Sequence, residues 1–125
     1  MTVISQSKPE ATGFPGIEHA TLAGSAEGLR AMSIWQQSVA PGAATPPHRH
    51  DCEEVVMCHA GEGELHIEGR IERFAAGQIV VIPPDVQHQI LSVGEEPLRF
   101  VAVLSASPVQ AYFPDGTPIA LPWRS

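Results

Sequence analysis

From Ile17 onward, short apolar stretches alternate with breaks centred on Gly or Pro. Each stretch is too short for a stable helix. Most show the period-two or all-apolar pattern of strands. The pattern predicts strands over residues 18–23, 29–39, 50–59, 64–68, 71–74, 78–82, 87–93 and 98–104. In 29–39, Met32 and Ile34 share one parity and Trp35 and Val39 the other. Residues 64–68 (ELHIE) alternate, as a half-exposed strand does, whereas 78–82 (QIVVI) is nearly all apolar. Turns fall at Pro41-Gly42, Ala60–Gly63, Gly69-Arg70 and Gly94–Pro97. No amphipathic helix and no repeat of solenoid length is visible. The expectation is an all-β sandwich or barrel of about eight strands.

Composition agrees. There are 12 prolines and 11 glycines in 125 residues, against about 12 % for the two together in average chains. With 43 % hydrophobic and 17 % charged residues, the chain can bury one core. The expected organisation is a flexible N-terminal arm over 1–13, a barrel over 14–107, and a Pro-rich arm over 108–125. That last arm packs on the barrel or on a partner subunit.

Charge narrows the partners. The formal net charge is −7, and Lys8 is the sole lysine. Such a chain repels phosphate backbones and anionic lipid, so neither nucleic acid nor membrane is expected. No apolar run approaches the roughly 20 residues of a membrane span. The first residues lack a basic region followed by an apolar one, so a cytoplasmic location is expected. Cys52 and Cys58, read on one extended strand, stand about 20 Å apart, too far for a disulfide.

Four side chains carry candidate chemistry: His48, His50, Glu54 and His88. Residues i and i+2 of a strand share a face, so His48 and His50 can reach one point. Glu54 has the same parity and a longer reach. His88 opens a later strand behind Pro83-Pro84-Asp85. Three imidazoles and one carboxylate suit Fe, Mn, Ni, Co, Cu or Zn. In an octahedral site, four protein ligands would leave two positions open for water, substrate or O₂.

A His-x-His pair alone is weak, but the spacing around it is specific. Gly42, five residues, His48, Arg49, His50, three residues, Glu54, six residues and Gly61 resemble the first cupin motif at every defining position. Gly77, Pro83 and His88 fall in register with the second motif. Asp85 stands where that motif has glycine and Ser92 where it has asparagine. The resemblance covers residues 42–92. It implies a cupin double-stranded β-helix, a jelly-roll barrel, with one divalent transition metal per chain on His48, His50, Glu54 and His88. It also implies a homodimer joined through a sheet edge or a crossing arm. Asp85 tolerates the left-handed backbone of a tight turn better than most residues.

Other residues have plainer expected roles. Glu53 has the opposite parity and points outward, towards Arg49. Cys52 shares the ligands' parity and so is a candidate for the pocket lining. His59 and His66 read as surface groups. Trp35, Met57, Phe74 and Phe100 are candidates for an apolar wall. Gln36, Gln37, Gln78, Gln87 and Gln89 are candidates to orient a ligand. No catalytic residue beyond the metal ligands can be named, and no organic cofactor motif is present.

Two functions remain open. One is a metal-dependent enzyme on a small organic molecule, with a dioxygenase ahead of a lyase, isomerase or decarboxylase. The other is a non-catalytic module that binds a small molecule or metal.

Overall fold

Every second side chain of Ser33–Val39 is buried: Ser33, Trp35, Gln37 and Val39. That alternation makes the segment a strand with one face on the core. The same logic runs through the structure, a computed structural model that describes residues 2–125. Met1 of the N-terminal arm lies outside the described residues. The strands are β1 (Glu10–Ala11), β2 (Ile17–Ala23), β3 (Ser33–Val39), β4 (Glu54–Ala60), β5 (Glu62–Ile67), β6 (Arg70–Ala75), β7 (Ile79–Ile82), β8 (His88–Ser92) and β9 (Leu98–Leu104).

They form two antiparallel sheets, ordered β1-β2-β3-β9-β4-β7 and β6-β5-β8. The inner faces meet over a core that includes Val39, Val56, Leu98, Phe100 and Leu104. Burying side chains of this size contributes about 1.5–3 kcal/mol each. The all-β jelly-roll barrel implied by the sequence is the architecture found.

Three local readings need correction. The strand expected over 29–39 starts only at Ser33. Ahead of it, Ser25–Glu27 form a 3₁₀ turn closed by Gly28 at φ 91°. The strand expected over 50–59 starts only at Glu54, because the chain bends at Asp51 and Cys52. Within the N-terminal arm, Glu10 and Ala11 pair with His19 and Glu18 of β2.

The smaller sheet gains an irregular extra strand that matters for the site. Residues 44–48 run antiparallel to β8, with Ala44 opposite Leu91 and His48 opposite His88. His48 and His88 exchange backbone hydrogen bonds of 3.0 and 2.8 Å. Asp85 supplies the turn into β8 at φ 63°, the left-handed backbone expected of it, and its N–H donates to the His50 carbonyl at 2.7 Å.

The C-terminal segment continues this pairing. Arg49 and Tyr112 exchange backbone hydrogen bonds of 3.0 and 2.9 Å, and the Ile119 N–H donates to the Ala111 carbonyl at 2.8 Å. The chain then crosses the barrel mouth to Ser125, whose hydroxyl accepts from the Val109 N–H at 2.8 Å. Among the described residues no helix is long and apolar enough to cross a membrane.

Candidate metal centre

Backbone carbonyls fix how the three histidines present themselves. His48 Nδ1 lies 2.7 Å from the Pro46 carbonyl, His50 Nδ1 2.7 Å from the Gln110 carbonyl, and His88 Nδ1 3.0 Å from the Val86 carbonyl. A carbonyl can only accept, so each Nδ1 carries a proton, and whenever the ring is neutral its Nε2 keeps the lone pair. One nitrogen from each ring lies within 4.8 Å of those of the other two. The rings of His48 and His88 are 4.4 Å apart, those of His48 and His50 5.0 Å.

Glu54 comes from the first residue of β4, held between Ile82 of β7 and Leu104 of β9. Its Oε1 lies 3.4 Å from His88 Nε2 and 3.7 Å from His50 Nε2. The structure therefore gathers His48, His50 and His88 into one group and sets Glu54, the fourth sequence-predicted residue, against two of them, His50 and His88.

The electrostatics are those of a buried anion among imidazoles. Burial opposes ionisation of Glu54. Contact with His88 and the charges of His50, His88 and His48 outweigh it and hold the carboxyl below its usual range. Burial also opposes protonation of His88, but contact with Glu54 and its charge raise this imidazole above its ordinary value. His48 goes the other way. Burial, then the neighbouring His88 and His50, lower it to about 4.

Among the described residues, Glu54 Oε1 and His88 Nε2 are buried without a hydrogen-bond partner. Orphaned polar atoms at a point of convergence need an explanation. A divalent cation would satisfy the carboxylate oxygen and the three nitrogen lone pairs together. The donors, three neutral imidazoles and a carboxylate, fit a borderline transition ion. The Nδ1–H···O=C bonds are the outer support such ligands usually have.

The centre opens into a cavity of about 50 Å³. Trp35, Gln37 and Phe100 line it, as the sequence suggested, together with Thr45 and Ile90. The C-terminal segment supplies Ala111, Ile119, Leu121 and Trp123, which sequence reasoning did not find. A Trp in an otherwise Pro-rich tail was the available signal.

Other candidates fall outside the cavity. Phe74 is buried in the core, and Met57 faces outward because the inward parity of β4 belongs to Val56 and Cys58. Cys52 turns into the core, since the bend breaks the strand parity assumed for it. Both cysteines are free and buried. Gln78 accepts from the Ala75 N–H and Gln89 donates to the Thr45 carbonyl. Gln87 and His66 line a separate surface groove. Arg49 lies over the Tyr112 ring at 5.3 Å rather than beside Glu53.

The model of the cupin domain matches residues 35–104. The chain belongs to the cupin family. This cupin is 34 % identical over 119 residues to auxin-binding protein 1 of Arabidopsis thaliana, covering 87 % of the chain and 60 % of that relative. The chain thus spans about three fifths of that relative's length. Among solved structures it is similar to the polyketide cyclase RemF of Streptomyces resistomycificus, with TM-score 0.73, 25 % identity, and 87 % and 83 % of the two chains covered. It is also similar to an oxalate oxidase, with TM-score 0.74 and 25 % identity over 86 % of this chain and 60 % of that one.

Proposed function

We propose that this cupin holds one divalent transition metal on His48, His50, Glu54 and His88 and uses it to capture a small organic acid. The observation that carries the reading is the chemistry of the cavity. It offers three imidazoles and a carboxylate, while its other lining residues carry no ionisable side chain. A bound metal supplies an electrophilic site for an oxygen donor.

The protein's own part is to bind and to exclude water. Trp35, Phe100, Ile119 and Trp123 present apolar surface to the body of a ligand. Trp35 Nε1 and Trp123 Nε1 are buried donors without a protein partner among the described residues, on two residues that line the cavity. The similarity to an auxin-binding protein supports ligand capture. A cavity of about 50 Å³ holds only a few atoms, which favours a small acid.

The second reading is a metal-dependent oxygenase. It is favoured by the similarity to an oxalate oxidase, and by a cavity that offers no free general base and leaves the chemistry to the metal. With no such base, a lyase or isomerase relying on protein-borne proton transfer has less support.

Metal analysis of the purified chain tests the shared premise. About one transition ion per chain is expected, lost in His48→Ala and His88→Ala. A protein that stays metal-free after reconstitution with Fe, Mn, Ni, Co, Cu and Zn overturns it. Titration calorimetry with aliphatic and aromatic carboxylates then separates the readings. Saturable, chelator-sensitive binding without oxygen uptake supports capture. Oxygen consumption with product formation overturns capture in favour of the oxygenase.

A further inference from the structure

A buried histidine stands one layer behind the cavity wall. His19 of β2 lies directly opposite Gln37 of β3 in the sheet register, and both side chains are buried. Its ring touches three residues that line the cavity. It stacks on Trp123 at 3.9 Å, meets the edge of Trp35 at 5.2 Å and hydrogen-bonds Gln37 at 3.0 Å. His19 is not itself one of the lining residues.

The direction of each hydrogen bond around His19 is fixed from the far end. The Arg124 carbonyl can only accept, so the Thr21 hydroxyl gives its proton there. The Thr21 oxygen then accepts from His19 Nε2–H at 2.8 Å. In that tautomer Nδ1 is a lone pair, so the Gln37 amide meets it with Nε2–H at 3.0 Å. A reversed amide would set its oxygen against the lone pair. The two ends of an amide have nearly the same shape, so packing alone does not choose between them and the hydrogen-bond partner does. With its nitrogen committed to His19, Gln37 turns its carbonyl oxygen away from β2. The other uncharged hydroxyl or amide of the lining, the Thr45 hydroxyl, already accepts the Ile90 N–H at 3.0 Å.

We propose that His19 is a positioning residue for ligand choice: it holds the Gln37 amide so that the cavity meets a hydrogen-bond acceptor, and the small acids captured are those that carry a hydroxyl or N–H donor. The inference rests on the acid-capture reading and adds the class of acid. A metal would take the carboxylate of any small acid alike. A buried acceptor in an apolar wall separates them, because an acid with a methyl group in place of the donor leaves that oxygen unpaired. The direction is set at Arg124, in the C-terminal segment. The contact that ties the tail to β2 therefore also decides which end of the amide a ligand meets.

Titration calorimetry of the full chain reconstituted with Zn(II), a redox-silent ion, is the test. The probes are two isosteric pairs, glycolate against propanoate and 3-hydroxypropanoate against butanoate. Wild type is expected to bind the hydroxy acid of at least one pair roughly 10-fold more tightly. Thr21→Val keeps the shape but removes the hydroxyl that fixes the His19 tautomer, and is expected to reduce that ratio. His19→Phe keeps a ring on Trp123 but removes Nδ1, and is expected to abolish the ratio. A purely structural role for His19 would lower both members of a pair together and leave the ratio standing. Gln37→Leu, which removes the amide and leaves His19 in place, is carried in parallel in case His19→Phe fails to fold, and is expected to abolish the ratio too. Equal binding within both pairs overturns this inference and leaves acid capture standing. A ratio that survives in Thr21→Val, His19→Phe and Gln37→Leu also overturns it, since contact of the hydroxyl with the metal then accounts for the preference. A chain that shows no chelator-sensitive binding of any of the four acids overturns acid capture and this inference together.

Discussion

His19 makes this fold sensitive to acid in a way that can be isolated from the metal centre. Its ring is stacked on Trp123 at 3.9 Å and meets the edge of Trp35 at 5.2 Å. The Thr21 hydroxyl donates to the Arg124 carbonyl, so its oxygen accepts from His19 Nε2–H at 2.8 Å. That leaves Nδ1 to accept from the Gln37 amide at 3.0 Å. Every polar contact of the ring is thus matched to the neutral form, and burial lowers its pKa from 6.5 to about 4.

The sign follows from which state binds the proton more tightly. Between pH 6.5 and 4 the unfolded chain protonates His19 and the folded chain does not, so stability falls as pH falls through that window. The full loss is about 3 kcal/mol by pH 4, and about 1.4 kcal/mol has gone by pH 5.5. The perturbation is His19→Gln, which cannot titrate. Urea unfolding of both proteins at pH 7.5, 5.5 and 4.5, in excess chelator, gives the difference. Titration of the shared metal ligands cancels in that subtraction. Wild type is expected to lose the extra 1.4 kcal/mol at pH 5.5 relative to His19→Gln. Parallel losses in the two proteins refute the assignment.

Two further outcomes are expected. Gly61→Ala should lower the unfolding free energy by at least about 2 kcal/mol in urea titration. The position has φ 81°, and the new Cβ would stand 2.6 Å from the Pro97 carbonyl oxygen; an unchanged midpoint would show that the Gly94–Pro97 turn yields freely. Burial raises Cys52 to about 11 and also raises Cys58, so a thiol reagent at pH 8 should label neither in the folded chain and both in urea. Fast labelling in native buffer would refute their inertness.

The candidate-site residues were legible because spacing encodes them. His48, His50, Glu54 and His88 sit at fixed offsets from turn glycines and prolines, and the structure gathers the three histidines with Glu54 against His50 and His88. The reason they converge was less legible. The strand-parity argument assumed a continuous strand through residue 54, whereas the chain bends at Asp51 and Cys52. Glu54 reaches the centre because β7 and β9 hold the start of β4 where its side chain meets His88 of the other sheet, and a local pattern carries no record of such non-local pairing. The same bend explains why Cys52 faces the core. The tail was opaque for another reason. Its prolines suppress periodicity, so nothing in the pattern says which side chains of an irregular segment face a cavity. Strand ends were misjudged at 29–32, where residues with strand-like parity precede the point at which β9 begins to pair.

The carbonyl that orients His50 belongs to Gln110, in the C-terminal segment. Were an ion held there, that one contact would make ion affinity and tail docking linked equilibria. If a docked tail raises affinity for the ion by some factor, the bound ion must favour the docked tail by the same factor. Loading the site would then be felt as protection of the C-terminal segment around Gln110 from proteases.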